Sequence, residues 1–161
     1  MQLATEKDFD KVMSIFRIYL DIFPHIVSDY YKNEDYIRLC LKQKDYKLLL
    51  MDDVVITFRI YKTKYSQGNV QLQPGDCILH QIAAKNQGDG SATKVERYFL
   101  DNINTRVFLS VPKHLPRTKN FHIKNGFKIV GWTNWNTWDS LAEISLQMPE
   151  TERGDVFLYE V

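Results

Sequence analysis

At 161 residues and 44% apolar content, the chain can bury one substantial core, and positions 1–161 read as a single domain. Lys and Arg number 21 against 20 Asp and Glu, which excludes a global field drawing the chain to nucleic acid or membrane and leaves only local basic patches. No stretch approaches the ~20 apolar residues of a membrane span, and Cys40 and Cys77 have neither metal-ligand spacing nor the density of a secreted disulfide framework. The expectation is a soluble, cytoplasmic protein with no metal and no membrane partner.

Thr5-Glu6-Lys7-Asp8 has the form of a helix start with an acidic N3. Phe9, Val12, Met13, Phe16, Tyr19 and Leu20 follow at helical spacing as packing residues, and Pro24 ends the run. A second helix is predicted over Asn33–Gln43, with Tyr36, Ile37, Cys40 and Leu41 inward. Tyr46–Met51 and Val54–Lys62 read as a strand hairpin turning at Asp52-Asp53. Turn clusters at 66–69 and 73–76 flank a short stretch, Val70–Leu72. Cys77–Ala84 lacks polar alternation, as expected of a central strand covered on both faces.

Gln87-Gly88-Asp89-Gly90-Ser91-Ala92 comes next and opens a helical pattern in which Ala92, Val95, Phe99 and Ile103 share a face. Strand, glycine-rich turn and helix start form an anion site: glycines admit a close approach, and the unpaired N–H groups and positive end of the helix face the charge. Thr93 stands where a dinucleotide fingerprint needs its third glycine, and no P-loop pattern is present. The predicted strand Arg106–Val111, a loop with Pro112 and Pro116, and a short helix over Arg117–Lys124 come after it. Lys128–Trp135 and Asp155–Val161 read as the last strands, with 136–154 as an extended loop.

Gln87-x-x-Gly90-x-Ala92 resembles the pyrophosphate loop of the GNAT acyl-CoA N-acyltransferases. Downstream, Phe121-His122-Ile123-Lys124-Asn125-Gly126-Phe127-Lys128-Ile129-Val130-Gly131 resembles the F-Y-x-K-x-G-F-x-x-V-G segment that closes the same fold. The likeness covers residues 50–135 well and the ends in outline. It implies an α/β fold with a mixed, mostly antiparallel sheet, helices on both faces, and a splay between strands 4 and 5. It further implies acetyl-CoA as co-substrate, held by Ile82, Ala83 and Ala84 along the pantetheine arm and by Gln87, Gly88, Asp89, Gly90, Ser91 and Ala92 at the pyrophosphate. Asp89 would have to point away from a dianionic ligand. Backbone donors near Ala83 and Ala84 would polarise the thioester.

Three departures and clusters bear on catalysis. His122 replaces the Tyr that in the family protonates the departing thiolate, and an imidazole near its usual ~6.5 is the stronger acid of the two. Leu115 replaces an Asn. His80 falls on the strand where some relatives carry a Glu or His that deprotonates the amine; a structural histidine is the plain alternative. Trp132, Trp135 and Trp138 serve either as packing or as a stacking platform for a planar acceptor. Arg59, Lys62, Lys64, Lys113, His114, Arg117 and Lys119 are surface cations unless they converge to steer a phosphate-bearing substrate.

The resemblance therefore implies transfer of an acetyl group from acetyl-CoA to a primary amine on a small molecule or macromolecule. Two rivals stand beside it. One is acyl transfer to nucleic acid, as in Mom-like DNA modification or on aminoacyl-tRNA, which the balanced charge disfavours. The other is a non-catalytic GNAT-fold module that binds CoA in an assembly. Pro74-Gly75-Asp76 with Leu79-His80-Gln81-Ile82 is similar to small phage-type GNAT proteins, and a homodimer stays open.

Overall fold

The first hairpin sets the sheet. Its strands, β1 (Tyr46–Met51) and β2 (Val54–Ile60), join through Asp52 and Asp53, whose φ angles are 48° and 58°. Two consecutive left-handed residues give the turn whose twist matches antiparallel strands, and aspartate tolerates that conformation better than most residues. The computed structural model describes residues 1–23, 32–113, 115–134 and 153–161. Pro24, Trp135, Trp138, His114 and most of the predicted 136–154 loop lie outside those residues.

β2 pairs antiparallel with β5 (Cys77–Ala84); β6 (Val107–Pro112) pairs with β8 (Arg153–Tyr159), and β7 (Lys128–Asn134) closes the far edge on β8. The six-stranded order is β1-β2-β5-β6-β8-β7, and β5 with β6 is its parallel pair. A separate ribbon of β3 (Tyr65–Gln67) and β4 (Val70–Leu72) lies between β2 and β5 in the chain. Asn69 at its turn fastens it to β7: the Asn69 N–H donates to Trp132 O at 3.0 Å, and Asn69 Oδ1 accepts from the Trp132 N–H at 2.8 Å. The strands that the resemblance numbers four and five are β5 and β6.

Helices cover both faces, as expected of this α/β class. On the front face, α1 (Phe9–Ile22) and α2 (Glu34–Leu41) pack Val12, Phe16, Tyr36 and Ile37 against Leu48, Val55 and Ala83. On the back face, α3 (Ser91–Ile103) packs Val95, Phe99 and Leu100 against Ile56, Phe58, Leu79, Leu109 and Phe157. The start of α1 is fixed as its sequence suggests, with the Thr5 N–H donating to Asp8 Oδ2 at 2.8 Å. Asn33 caps α2 by accepting from the Tyr36 N–H at 2.9 Å.

β5 contains an irregularity that its apolar run conceals. Thr57 faces Gln81 while Phe58 faces Leu79, so His80 is an extra residue opposite β2. Such a bulge puts two successive side chains on one face. Ile82 and Leu79 pack toward the back, whereas Gln81 meets Tyr36 and His80 meets the Tyr46 ring, both on the front.

α4 (Pro116–Lys124) ends in a glycine closure. The Phe127 N–H donates to His122 O at 3.1 Å and the Gly126 N–H to Ile123 O at 3.0 Å, with Gly126 at φ 100°. This double bond is the Schellman ending, which takes glycine because a left-handed residue with a Cβ is strained. Phe127 is buried at 2% exposure and starts the turn into β7, as the sequence predicts. A Cβ on Gly126 would also meet Tyr159 Cε2 at 3.3 Å. Gly126→Ala is expected to lower stability by about 1–2 kcal/mol, read as a shift of the urea midpoint at unchanged slope.

Candidate active site

The parallel contact of β5 with β6 covers two residue pairs, Cys77 with Val107 and Ile78 with Phe108. β5 then stays with β2 as far as Ala84, and β6 stays with β8. The sheet splits from Leu79 onward, which is the splay the resemblance implies. On its β6 side the rest of β5 has no strand partner among the described residues. A cleft of about 440 Å³ opens there. One wall is Ile82, Ala84 and the glycine loop; the other is the start of α4, with Tyr19 and Phe23 from the end of α1.

The loop is built to present amides. Gly88 and Gly90 have φ 75° and 82°, and a Cβ on either would meet no atom within 4 Å, so both border open space. Gly90 caps α3 without a side chain, and its carbonyl accepts the Lys94 N–H at 3.0 Å. The first helical N–H groups have no intrahelical acceptor. That of Ser91 is taken by Asp89 Oδ1 at 2.9 Å, which leaves those of Ala92 and Thr93, both on the cleft wall. Gln87 Nε2 donates to Ala84 O at 3.0 Å and ties the loop back to β5.

Of the residues expected to hold the cofactor, Ile82, Ala84, Gln87, Gly88, Asp89, Gly90 and Ala92 line this cleft. Ala83 and Ser91 are not among the lining residues: the Ala83 side chain packs into the front core. Asp89 borders the cleft and bonds the helix start, and hydrogen bonds from the Ser91 side chain and then from its backbone N–H hold the carboxyl below the usual range. Its carboxylate thus lies on the cleft wall, whereas the sequence reading has it point outward.

His80 and His122 are not brought together. His80 sits on the bulge with both ring nitrogens sealed from solvent. Burial, and then the nearby Arg59 guanidinium, push its pKa down to about 3, so it is uncharged at neutral pH. His122 is 3% exposed and is not among the cleft residues; its neighbour Phe121 is. The His122 Nδ1 donates to Glu96 Oε1 at 2.7 Å, Asn125 Nδ2 donates to Glu96 Oε2, and the imidazole packs 5.5 Å from the Phe127 ring. This buried cluster ties α3 to α4. In this structure the His122 ring lies within this buried cluster and outside the cleft lining.

Sequence reasoning assigned Tyr19 to the core and did not single out Phe23, Thr118 or Phe121, which the fold places on the cleft wall. Burial pushes the Tyr19 phenol up to about 12 against the opposing effect of Arg117. Arg117 is the cation among the lining residues and sits 5.9 Å over the Phe23 ring. The i, i+4 pair Tyr19 and Phe23 at the end of α1 was the available signal. Two of the surface cations are paired: Lys119 with Asp155 at 2.8 Å and Lys62 with Asp45 at 4.0 Å. Trp132 is 39% exposed on β7.

No protein-family model and no curated protein matches the chain. Solved structures do, along nearly its whole length, and the fold is that of the GNAT acetyltransferases. A GNAT-family acetyltransferase from Bacillus cereus aligns over 99% of this chain and 94% of its own, at 16% identity and a TM-score of 0.64. An acetyltransferase from Thermus thermophilus aligns over 99% and 96%, at 14% and 0.66. The ribosomal-protein-S18-alanine N-acetyltransferase of Escherichia coli aligns over 99% and 92%, at 10% and 0.66.

The buried cluster makes a clear prediction. His122→Phe keeps ring packing but leaves Glu96 a bond short, and is expected to cost about 2–3 kcal/mol by denaturant unfolding. Adding Glu96→Leu is expected to recover much of that loss, since both polar groups are then gone.

His80 gives a pH prediction. An unfolded imidazole protonates near 6.5, whereas His80 resists protonation down to about 3. Between those values the unfolded chain binds the extra proton, so the stability present above 6.5 declines as pH falls toward 3. His80→Gln is expected to flatten that part of the curve.

Proposed function

We propose that the chain transfers an acyl group, acetyl in the simplest case, from its CoA thioester to a primary amine. The observation that carries this reading is the gap between β5 and β6, which runs from Ile78 up to the glycine loop and the start of α3. The residues present fit such a ligand. The Ala92 and Thr93 amides and the open space at Gly88 and Gly90 suit a pyrophosphate. Arg117 adds a positive charge, and Ile82, Ala84, Leu115 and Phe121 offer apolar wall to an uncharged arm.

The bound thioester supplies an activated carbonyl: an acceptor that starts as the ammonium ion loses a proton, its nitrogen bonds to that carbonyl, the C–S bond breaks, and the products are an amide, the CoA thiol and one proton. The chain's part is to bind and orient. The free edge of β5 offers backbone groups to the arm and the carbonyl. His80 is uncharged at neutral pH, the form that accepts a proton from an ammonium group. Its ring nitrogens, however, are sealed from solvent and it does not line the cleft, so water, not His80, takes the proton from the ammonium group. His122 lies in the core, so solvent is the source of the proton for the thiolate; a Tyr19 phenol at about 12 is too weak an acid for a thiol near ~8.5. That same placement of His122 favours a second reading, a module that binds CoA without turnover.

Calorimetry with acetyl-CoA tests the binding step, and release of free thiol with an amine panel tests turnover. Wild type is expected to bind; binding without turnover on any amine would support the module, and absence of binding at millimolar acetyl-CoA would end both readings. Gly90→Val is expected to weaken binding more than about tenfold by filling the open space, with a strain cost of about 1–2 kcal/mol in stability. Asp89→Asn keeps an acceptor for the Ser91 N–H and removes a charge from the anion site. It is expected to tighten binding about two- to fivefold at low salt, and less as salt rises.

A further inference from the structure

On the front face, at the vertex of the gap, one row crosses three strands: Tyr46 on β1 faces Arg59 on β2, and Arg59 faces Ile78 on β5. The Arg59 guanidinium is 5.0 Å from the Tyr46 ring and 4.8 Å from the Tyr61 ring. Its Nη1 donates to the Tyr46 hydroxyl at 3.2 Å. Tyr46 and Tyr61 are buried at 6% and 4% exposure, and Tyr61 stacks on Tyr65 at 4.5 Å. Arg59 itself is half-buried, so the two rings orient its fork while one side stays accessible.

The arginine lacks what such a group normally has. Arg106, just before β6, closes its fork on Asp76, with Nε to Oδ1 at 2.9 Å and Nη2 to Oδ2 at 2.6 Å. Among the described residues no carboxylate comes within 4.0 Å of Arg59; Asp45, the acidic group that acts on it, pairs with Lys62. The positive field is felt at His80, whose imidazole Arg59 helps to keep uncharged. A half-buried, preoriented guanidinium with unused donors suits a planar or tetrahedral oxyanion.

We propose that Arg59, with the Tyr46 hydroxyl beside it, is a subsite for an anionic group, a carboxylate or a phosphate, carried by the amine that accepts the acyl group. The inference rests on the acyl-transfer reading for the word acceptor, while the oxyanion site stands on Arg59 alone. Its place fits that role. Arg59 faces Ile78, the last paired residue before the gap, and His80 is the bulge residue just beyond it. The glycine loop lies at the opposite end of β5. An amine entering from the front would therefore meet the vertex, with its anion on Arg59 and its nitrogen toward the gap.

Two measurements test this. In the first, thiol release from acetyl-CoA is followed with matched amines that differ by the anion: putrescine against ornithine for carboxylate, ethanolamine against O-phosphoethanolamine for phosphate. The anionic member of at least one pair is expected to be preferred about tenfold or more in kcat/KM. Arg59→Met is expected to erase that preference through KM, with acetyl-CoA affinity unchanged, and Arg59→Lys to restore part of it. Turnover without a preference for either anion, or a preference that survives Arg59→Met, overturns the proposal.

The second measurement needs no activity. Acetate and inorganic phosphate are titrated separately while the Arg59 Nε and His80 ring signals are followed by NMR. Saturable shifts with a Kd of about 1 mM or tighter for one of them, absent in Arg59→Met, are expected. Shifts that never saturate overturn the site. Saturation at Arg59 in a protein that ignores acetyl-CoA would leave the oxyanion site standing and remove the acyl-transfer reading.

Discussion

Two residue pairs hold the halves of the sheet together in parallel, and the rest of the molecule is arranged around the point where that pairing stops. β5 is committed to β2 over its full length, and β6 to β8. Past Ile78 the facing edges of β5 and β6 carry backbone groups that no strand satisfies among the described residues. Buried amides and carbonyls without partners are costly, so an edge of this kind must be met by water or by a ligand. The front and back cores, each crossing from helix to sheet, keep the split from closing. The cleft is a gap in secondary structure that tertiary packing maintains.

The two helices flanking the gap are not independent. α3 begins at the anion loop and α4 begins on the opposite wall, and the Glu96, His122 and Asn125 cluster ties them together out of reach of water. The Schellman ending of α4 uses the same histidine, whose carbonyl accepts the Phe127 N–H and whose ring meets the Phe127 ring.

How far the sequence leads varies by element, for physical reasons. The Asp52-Asp53 turn, the glycine loop and Gly126-Phe127 were legible because each needs a backbone state that few residues adopt, and local composition records it. The outline of the sheet and its splay followed from two such motifs in order. The bulge at His80 left no trace, because an apolar run buried on both faces looks the same in either register. Tyr19 read as core because helical spacing reports which face is inward, not whether that face also borders a cavity. His122 was ambiguous in the same way: its position was right, but which side of α4 it takes depends on Glu96, distant in sequence. Arg59 read as one surface cation among several because Tyr46, which frames it with Tyr61, lies on the neighbouring strand.

The extra residue in β5 has a consequence for how such a chain can change. A regular strand transmits a one-residue insertion along its whole length and turns every following side chain to the wrong face. A bulge already contains one unpaired residue, so it absorbs length there: deleting it would regularise the pairing, and the stretch from Ile82 to the glycine loop could keep its facing. His80 therefore stands at the place in the central strand where lineages can gain or lose a residue without dismantling the core. Chemistry at the vertex can drift in register while the anion loop stays where it is.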